Sequence, residues 1–147
     1  MMVLDGDSLL LAPRADEVIA AAAGAGLPGT LKSELLAPAL ELTTDICESA
    51  EEAAEALAEL RRGAVALAEE RGLKVAAAGS HPVSRPEEQE IADEERYAEF
   101  VAYAGVSARR QGVSGLHVHV GMPSSDACFR ALEGVLPWLP VMLAVSA

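Results

Sequence analysis

The sequence predicts an α+β domain in which a mixed or antiparallel sheet is backed by helices. Three observations lead there. Hydrophobic residues make up 51% of the 147 positions while aromatics supply only 3%, so the core must be built from Ala, Leu and Val. Capped, periodic helical segments alternate with short apolar runs bounded by glycine. The two kinds of segment interleave without the regular βαβ rhythm of a parallel sheet. The length is that of one domain.

Taken in order, Met2 to Leu11 reads as a short hairpin around Asp5-Gly6, a type I′ turn signal. Pro13 opens a helix over about 14–23, with Asp16 and Glu17 at its positive end and Gly24 and Gly26 as its stop. Thr30 to Thr44 is strand-like and divides near Ala37-Pro38 into two short strands. Ser49-Ala50-Glu51-Glu52 is a capping box, and Ala53, Leu57, Leu60, Ala64 and Leu67 then recur at helical spacing up to Gly72. Leu73 to Ala78 is a buried strand. Ser80 to Glu95, with Pro82, Pro86 and an acidic run, is a polar loop that serves as a solvated face or as a lid. Arg96 to Gln111 is helical with a break at Gly105, and Pro123-Ser124-Ser125-Asp126 opens the last helix.

A net charge of −12 argues against a nucleic-acid backbone or an anionic membrane surface as partner. It leaves room for nucleotides held through Mg²⁺ by inward carboxylates. Cys47 and Cys128 form no paired motif and read as reduced, buried thiols. The tail from Ala131 to Ala147 carries Glu133, Pro137 and Pro140, which makes it too short and too broken for a membrane span. A cytoplasmic protein is expected.

The residues placed to carry chemistry are few. In Gly115-Leu116-His117-Val118-His119-Val120-Gly121, two of the three histidines stand two residues apart, so in a strand both point to one face. Such a pair is either a hydrogen-bonded couple on a half-exposed strand or a functional pair. Glu34 and Glu41 come to lie opposite each other if Ala37-Pro38 is a tight turn, and two facing carboxylates need a proton or a hard cation between them. Ser80-His81-Pro82 directly follows a strand, where substrate-binding groups often sit. There is no glycine-rich phosphate loop, and no HExxH or GxSxG motif.

Several of these segments in order resemble type 2 glutamate–cysteine ligases, bacterial carboxylate–amine ligases. They are Leu31-Lys32-Ser33-Glu34-Leu35, Glu41-Leu42-Thr43-Thr44, Ala78-Gly79-Ser80-His81-Pro82, Arg96-Tyr97, the His-Val-His run, and Leu139-Pro140 with Leu143 to Ala147. The resemblance covers nearly the whole chain. It implies a glutamine-synthetase-like catalytic domain whose curved antiparallel sheet carries the active site on its inner face. It implies ATP-dependent amide-bond formation through an acyl phosphate, with glutamate and cysteine as candidate carboxylate and amine substrates. Carried over residue by residue, Glu34 and Glu41 match positions expected to hold Mg²⁺; His117 matches a histidine near the metal and phosphate groups, with His119 beside it on the same face as its catalytic partner; and His81 and Arg96 are candidates for contact with substrate or with the phosphates of the cofactor ATP. Family members begin with a strand bearing a Gly-(Val/Ile)-Glu-Glu-Glu-like motif and continue for about as much sequence again. The expectation is therefore one partial domain over 1–147, with unpaired strand edges that suit a homo-oligomer or a complementary C-terminal chain. A non-catalytic oligomerisation or interaction module is the alternative. A Zn²⁺ site on His117 and His119 is a third reading.

Overall fold

A buried apolar run, Met2 to Leu4, sets the first strand, and apolar residues alternating with polar ones, Leu31 before Lys32 and Leu40 before Glu41, set the ribbon that follows. The computed structural model describes residues 1–146, which fall into two compact units, Met1–Gly115 and Leu116–Ala147. In the first unit, strand β1 (Met2–Asp5) pairs antiparallel with β4 (Leu73–Ala76), matching Met2 to Ala76 and Asp5 to Leu73. Strand β2 (Gly29–Ser33) pairs antiparallel with β3 (Leu40–Thr44). An antiparallel bridge between Met2 and Ala39 joins the two ribbons. The antiparallel sheet backed by helices is therefore present.

Helices α1 (Ala15–Ala22) and α2 (Ala50–Glu69) cover one face. Val18 of α1 and Leu60, Ala64 and Ala68 of α2 pack with Val3, Leu31, Leu40 and Leu73 from the strands. Of the five core residues that the two helices supply, three are alanines (Ala15, Ala64 and Ala68), so the helices lie close to the strands. The forward half of the capping box forms, Ser49 Oγ accepting the Glu52 N–H at 3.1 Å, while Glu52 Oε2 reaches one residue past the N-cap and accepts the Glu48 N–H at 2.7 Å.

The expected Asp5-Gly6 hairpin is corrected. The chain leaves β1 in a wider loop that closes with the Asp5 N–H on the Leu10 carbonyl and a bridge between Leu4 and Leu11. Gly6 does not take the left-handed backbone that a type I′ turn needs. Glycine stands there for another reason: a Cβ would meet the Gly72 carbonyl oxygen at 2.4 Å. The Asp5 carboxylate orders the loop by accepting the Ser8 N–H at 2.9 Å, which holds its carboxyl below the ordinary range.

The polar stretch from Ser80 to Glu95 is tied down rather than free. Ala37 donates to the Glu90 carbonyl, Ala92 donates to the Leu35 carbonyl, and Leu36 bridges Ile91. Helices α3 (Glu95–Ala104) and α4 (Val106–Arg109) follow, broken at Gly105 as the sequence predicts.

In the second unit, 116–122 carries no regular secondary structure. The strand expected over Gly115–Gly121 is thus not formed, because a strand exists only through a ladder partner and none pairs with it among the described residues. Helix α5 (Ser125–Val135) is capped by Ser124, whose hydroxyl accepts the Ala127 N–H at 3.2 Å. A 3₁₀ turn (Leu136–Trp138) leads without interruption into α6 (Leu139–Ser146). The reading of this tail as too short and too broken is corrected: Pro137 and Pro140 sit in first-turn positions, where proline is tolerated. The helical run Ser125–Ser146 has 22 residues and is, by length and composition, apolar enough to cross a membrane. Its large apolar side chains, among them Phe129, Leu132, Leu136 and Leu143, are exposed. Cys128 on α5 is exposed with them and Cys47 is only partly covered, which corrects the burial expected of the two thiols.

Candidate functional site

Opposite the helices, the β2–β3 ribbon presents a polar face. Leu31 and Leu40 turn inward and are buried, so Lys32 and Glu41, opposite each other in the register, turn outward and are exposed. This register corrects the expected pairing of Glu34 with Glu41. A tight turn at Ala37-Pro38 would have placed them face to face. Instead the connection is six residues long, Glu34 to Ala39. Leu35, Leu36 and Pro38 are buried in it, and the chain peels away from β3 after Ser33 to bond with 90–92. Consecutive apolar residues demand burial on both sides, and that demand outweighs the shorter turn. Thr43 Oγ1, two residues beyond Glu41, is buried without a hydrogen-bond partner among the described residues.

Glu34 is exposed, and its Oε1 accepts the N–H of Leu35 at 2.7 Å. It lines a groove of about 230 Å³ with His81, Arg110, Leu35, Pro38 and Val113. A second groove, of about 640 Å³, is lined by Lys32, Ser33, Glu94, Arg96, Ile19 and Ile91, among others. The stretch from Leu31 to Ala39 contributes to both grooves.

Arg96 stands in the first turn of α3. Its Nε donates to Glu94 Oε2 at 2.7 Å, a bond that raises its already high pKa. Burial, and then the carboxylate of Glu34, push the Tyr97 phenol up; Glu94 and Glu41 add to this, while Arg96 opposes it. These five side chains therefore share one electrostatic neighbourhood. Sequence reasoning took in Arg96 but passed over Glu94, whose signal was its place two residues before a candidate arginine.

His81 uses both ring nitrogens on backbone. Nδ1 accepts the N–H groups of Val83 at 3.2 Å and Ser84 at 2.8 Å, and Nε2 lies 3.0 Å from the Leu9 carbonyl. Through these contacts the ring fixes the loop that carries Ser80. Contact with a ligand through either nitrogen would require one of these partners to be released.

His117 and His119 belong to the second unit and are both exposed. Their rings lie 6.5 Å apart at an interplanar angle of 70°. Among the described residues, no group of three or more His, Cys, Asp or Glu side chains is placed to hold a metal ion, so the cage that a protein-bound Zn²⁺ needs is not formed. The donor chemistry does fit Mg²⁺, which takes one or two carboxylates and completes its shell with water and substrate phosphates. Glu34 and Glu41 supply hard, exposed oxygens of that kind.

The sequence profile of glutamate–cysteine ligase family 2 matches residues 1–147. The chain belongs to this family. A provisionally named glutamate–cysteine ligase 2-3 of Rubrobacter xylanophilus is 39% identical over 145 residues, which cover 99% of the chain and 40% of that protein. A provisionally named glutamate–cysteine ligase 2 of Bordetella petrii is 31% identical over 147 residues, 100% of the chain and 35% of the relative. One from Herpetosiphon aurantiacus is 36% identical over 79% of the chain and 30% of its own length. This glutamate–cysteine ligase family chain thus spans at most about two fifths of the length of these relatives. No solved structure matches it at a significant level.

Proposed function

We propose that the chain supplies the N-terminal part of an ATP-dependent carboxylate–amine ligase site, as one partial domain over 1–147 acting in the cytoplasm. The observation that supports this is that Lys32 and Glu41 stand opposite each other on the outward face of the β2–β3 ribbon, with Arg96 in one groove with Lys32 and with Glu34 acting on Arg96 and Tyr97, in a chain that matches the ligase family over its whole length. In this reading a substrate carboxylate is activated as an acyl phosphate, and an amine then displaces phosphate to form the amide bond. The family name points to glutamate and cysteine as the pair. ATP supplies the phosphoryl group, and bound Mg²⁺ offsets the charge of its phosphates.

The chain's own residues bind and orient. Glu34 and Glu41 are the carboxylates that would hold Mg²⁺. Arg96 and Lys32 meet anionic oxygens. His81 holds the Ser80 loop in place, and through that loop the wall of the groove beside Glu34. His117 and His119, in the second unit, keep in this reading the catalytic role that the family resemblance gives them. The exposed apolar side chains of α5 and α6 favour a further polypeptide on that surface, either a second copy or a chain corresponding to the rest of the relatives' length.

Titration calorimetry with Mg-ATP tests this reading. The chain is expected to bind with an affinity that falls about tenfold or more in Glu41→Gln, corresponding to the loss of one charge-assisted ligand. Equal titrations of the two proteins, or no heat from either, would overturn it.

A further inference from the structure

Four side chains close a ring at the end of β2. The Ser33 hydroxyl donates to Glu94 Oε1. Glu94 Oε2 accepts from Arg96 Nε at 2.7 Å. The Arg96 guanidinium carbon lies 4.4 Å from the centre of the Tyr97 ring. The Tyr97 hydroxyl returns to the Ser33 carbonyl at 3.1 Å. A cation stacked on an aromatic face and bonded through Nε has lost most of its rotamer freedom. Its Nη1 and Nη2 have no hydrogen-bond partner among the described residues, although the side chain is 61% exposed. Its free edge therefore stands ready on the wall of the larger groove, where Lys32 supplies a second cation.

The surroundings do not favour an anion by bulk charge. Asp16, Glu90 and Asp93 line the same groove, and the chain carries −12 overall. Any anion held here must be held by direction, through a guanidinium fixed in advance, rather than by the long-range field.

We propose that Glu94 is a positioning residue: with Ser33 and Tyr97 it clamps Arg96 so that the free Nη edge meets the phosphate oxygens of a polyphosphate group in this groove. The proposal deepens the ligase reading and rests on it for the nature of the ligand. It reverses the usual electrostatic expectation. Removing a carboxylate beside an arginine should strengthen anion binding if charge alone mattered; here it weakens binding.

The test uses the whole chain with arginine side chains labelled by ¹⁵N, titrated separately with magnesium tripolyphosphate and with Mg-ATP. Tripolyphosphate is expected to shift the Arg96 side-chain resonances, and Arg96→Ala to abolish the response. Glu94→Ala should weaken binding about tenfold and release the Arg96 Nε–H into fast exchange. Glu94→Gln, whose amide oxygen still accepts from Nε, should stay within about twofold of the parent. Tyr97→Phe, which keeps the ring and loses the Ser33 bond, should fall between the two and guards against a folding defect in Glu94→Ala. Unchanged or tighter binding by Glu94→Ala, or affinity indifferent to Arg96→Ala, overturns the proposal. Tripolyphosphate binding with this pattern but no Mg-ATP binding would leave the positioning role standing and remove the nucleotide reading. Silence of Arg96 toward both probes would overturn the positioning role itself.

Discussion

Leu60→Ala is expected to lower the unfolding free energy by about 3 kcal/mol, within the usual range for truncating a buried leucine. Leu60 is wholly buried in the middle of α2, among Val3, Val18, Leu40 and Leu73. The rest of that cluster is largely alanine: Ala12, Ala15, Ala64 and Ala68. Small neighbours let the helix sit close to the strands, but they have no spare length with which to refill a hole. The whole sequence offers only two Phe and one Trp, so a few aliphatic side chains carry most of the core volume. Urea unfolding followed by circular dichroism measures the loss. Ile46→Ala, at a position 94% exposed, should move stability by no more than about 0.5 kcal/mol. Equal effects at the two positions would contradict the placement of the core.

Gly29→Ala is expected to cost a similar amount, about 3 kcal/mol, for a different reason. Gly29 opens β2 at φ +139° and pairs with Thr44. A Cβ there would stand 2.2 Å from the Thr43 carbonyl oxygen and 2.9 Å from the Thr44 Cα. Both obstacles are backbone, so the hairpin end must open. Backbone strain in this region adds its own cost of roughly 1–3 kcal/mol. Gly24→Ala provides the comparison: its φ is +81°, but nothing lies within 4 Å of the added carbon. It should show the strain without the collision and cost about 1 kcal/mol. Because Thr43 lies two residues from Glu41 on β3, Gly29→Ala should also weaken Mg-ATP binding, whereas Gly24→Ala should leave it unchanged.

Much of the architecture was legible because its signals are local. Ser49 with Glu52, and Ser124 before α5, mark helix starts by side-chain bonds within four residues. Gly105 marks the break between α3 and α4, and the Leu31 and Leu40 runs mark β2 and β3. What could not be read depends on partners far away in sequence. The β2–β3 register follows from the burial of Leu35 and Leu36 and from bonds to 90–92, which no local spacing reports. Gly6 looked like a turn glycine and is instead a contact point for Gly72, 66 positions on. The His117–His119 segment has the alternation of a strand, yet alternation supplies no ladder partner. At the candidate site, residue types were legible and geometry was not. Glu34, Glu41 and Arg96 could be singled out, but Glu41 standing opposite Lys32, and Glu94 holding Arg96, emerged only from the folded chain.

On the proposed reading, Mg-ATP binds against the outward face of the β2–β3 ribbon, the face of Lys32 and Glu41. Backbone amide shifts of the ¹⁵N-labelled chain on addition of Mg-ATP test it most directly. Shifts are expected at Lys32 to Glu34, Glu41 to Thr43 and Glu94 to Tyr97, with none along the solvent side of α2 at Glu51, Glu55, Glu59 and Arg62. Shifts confined to α2, or a spectrum that does not change, would contradict it.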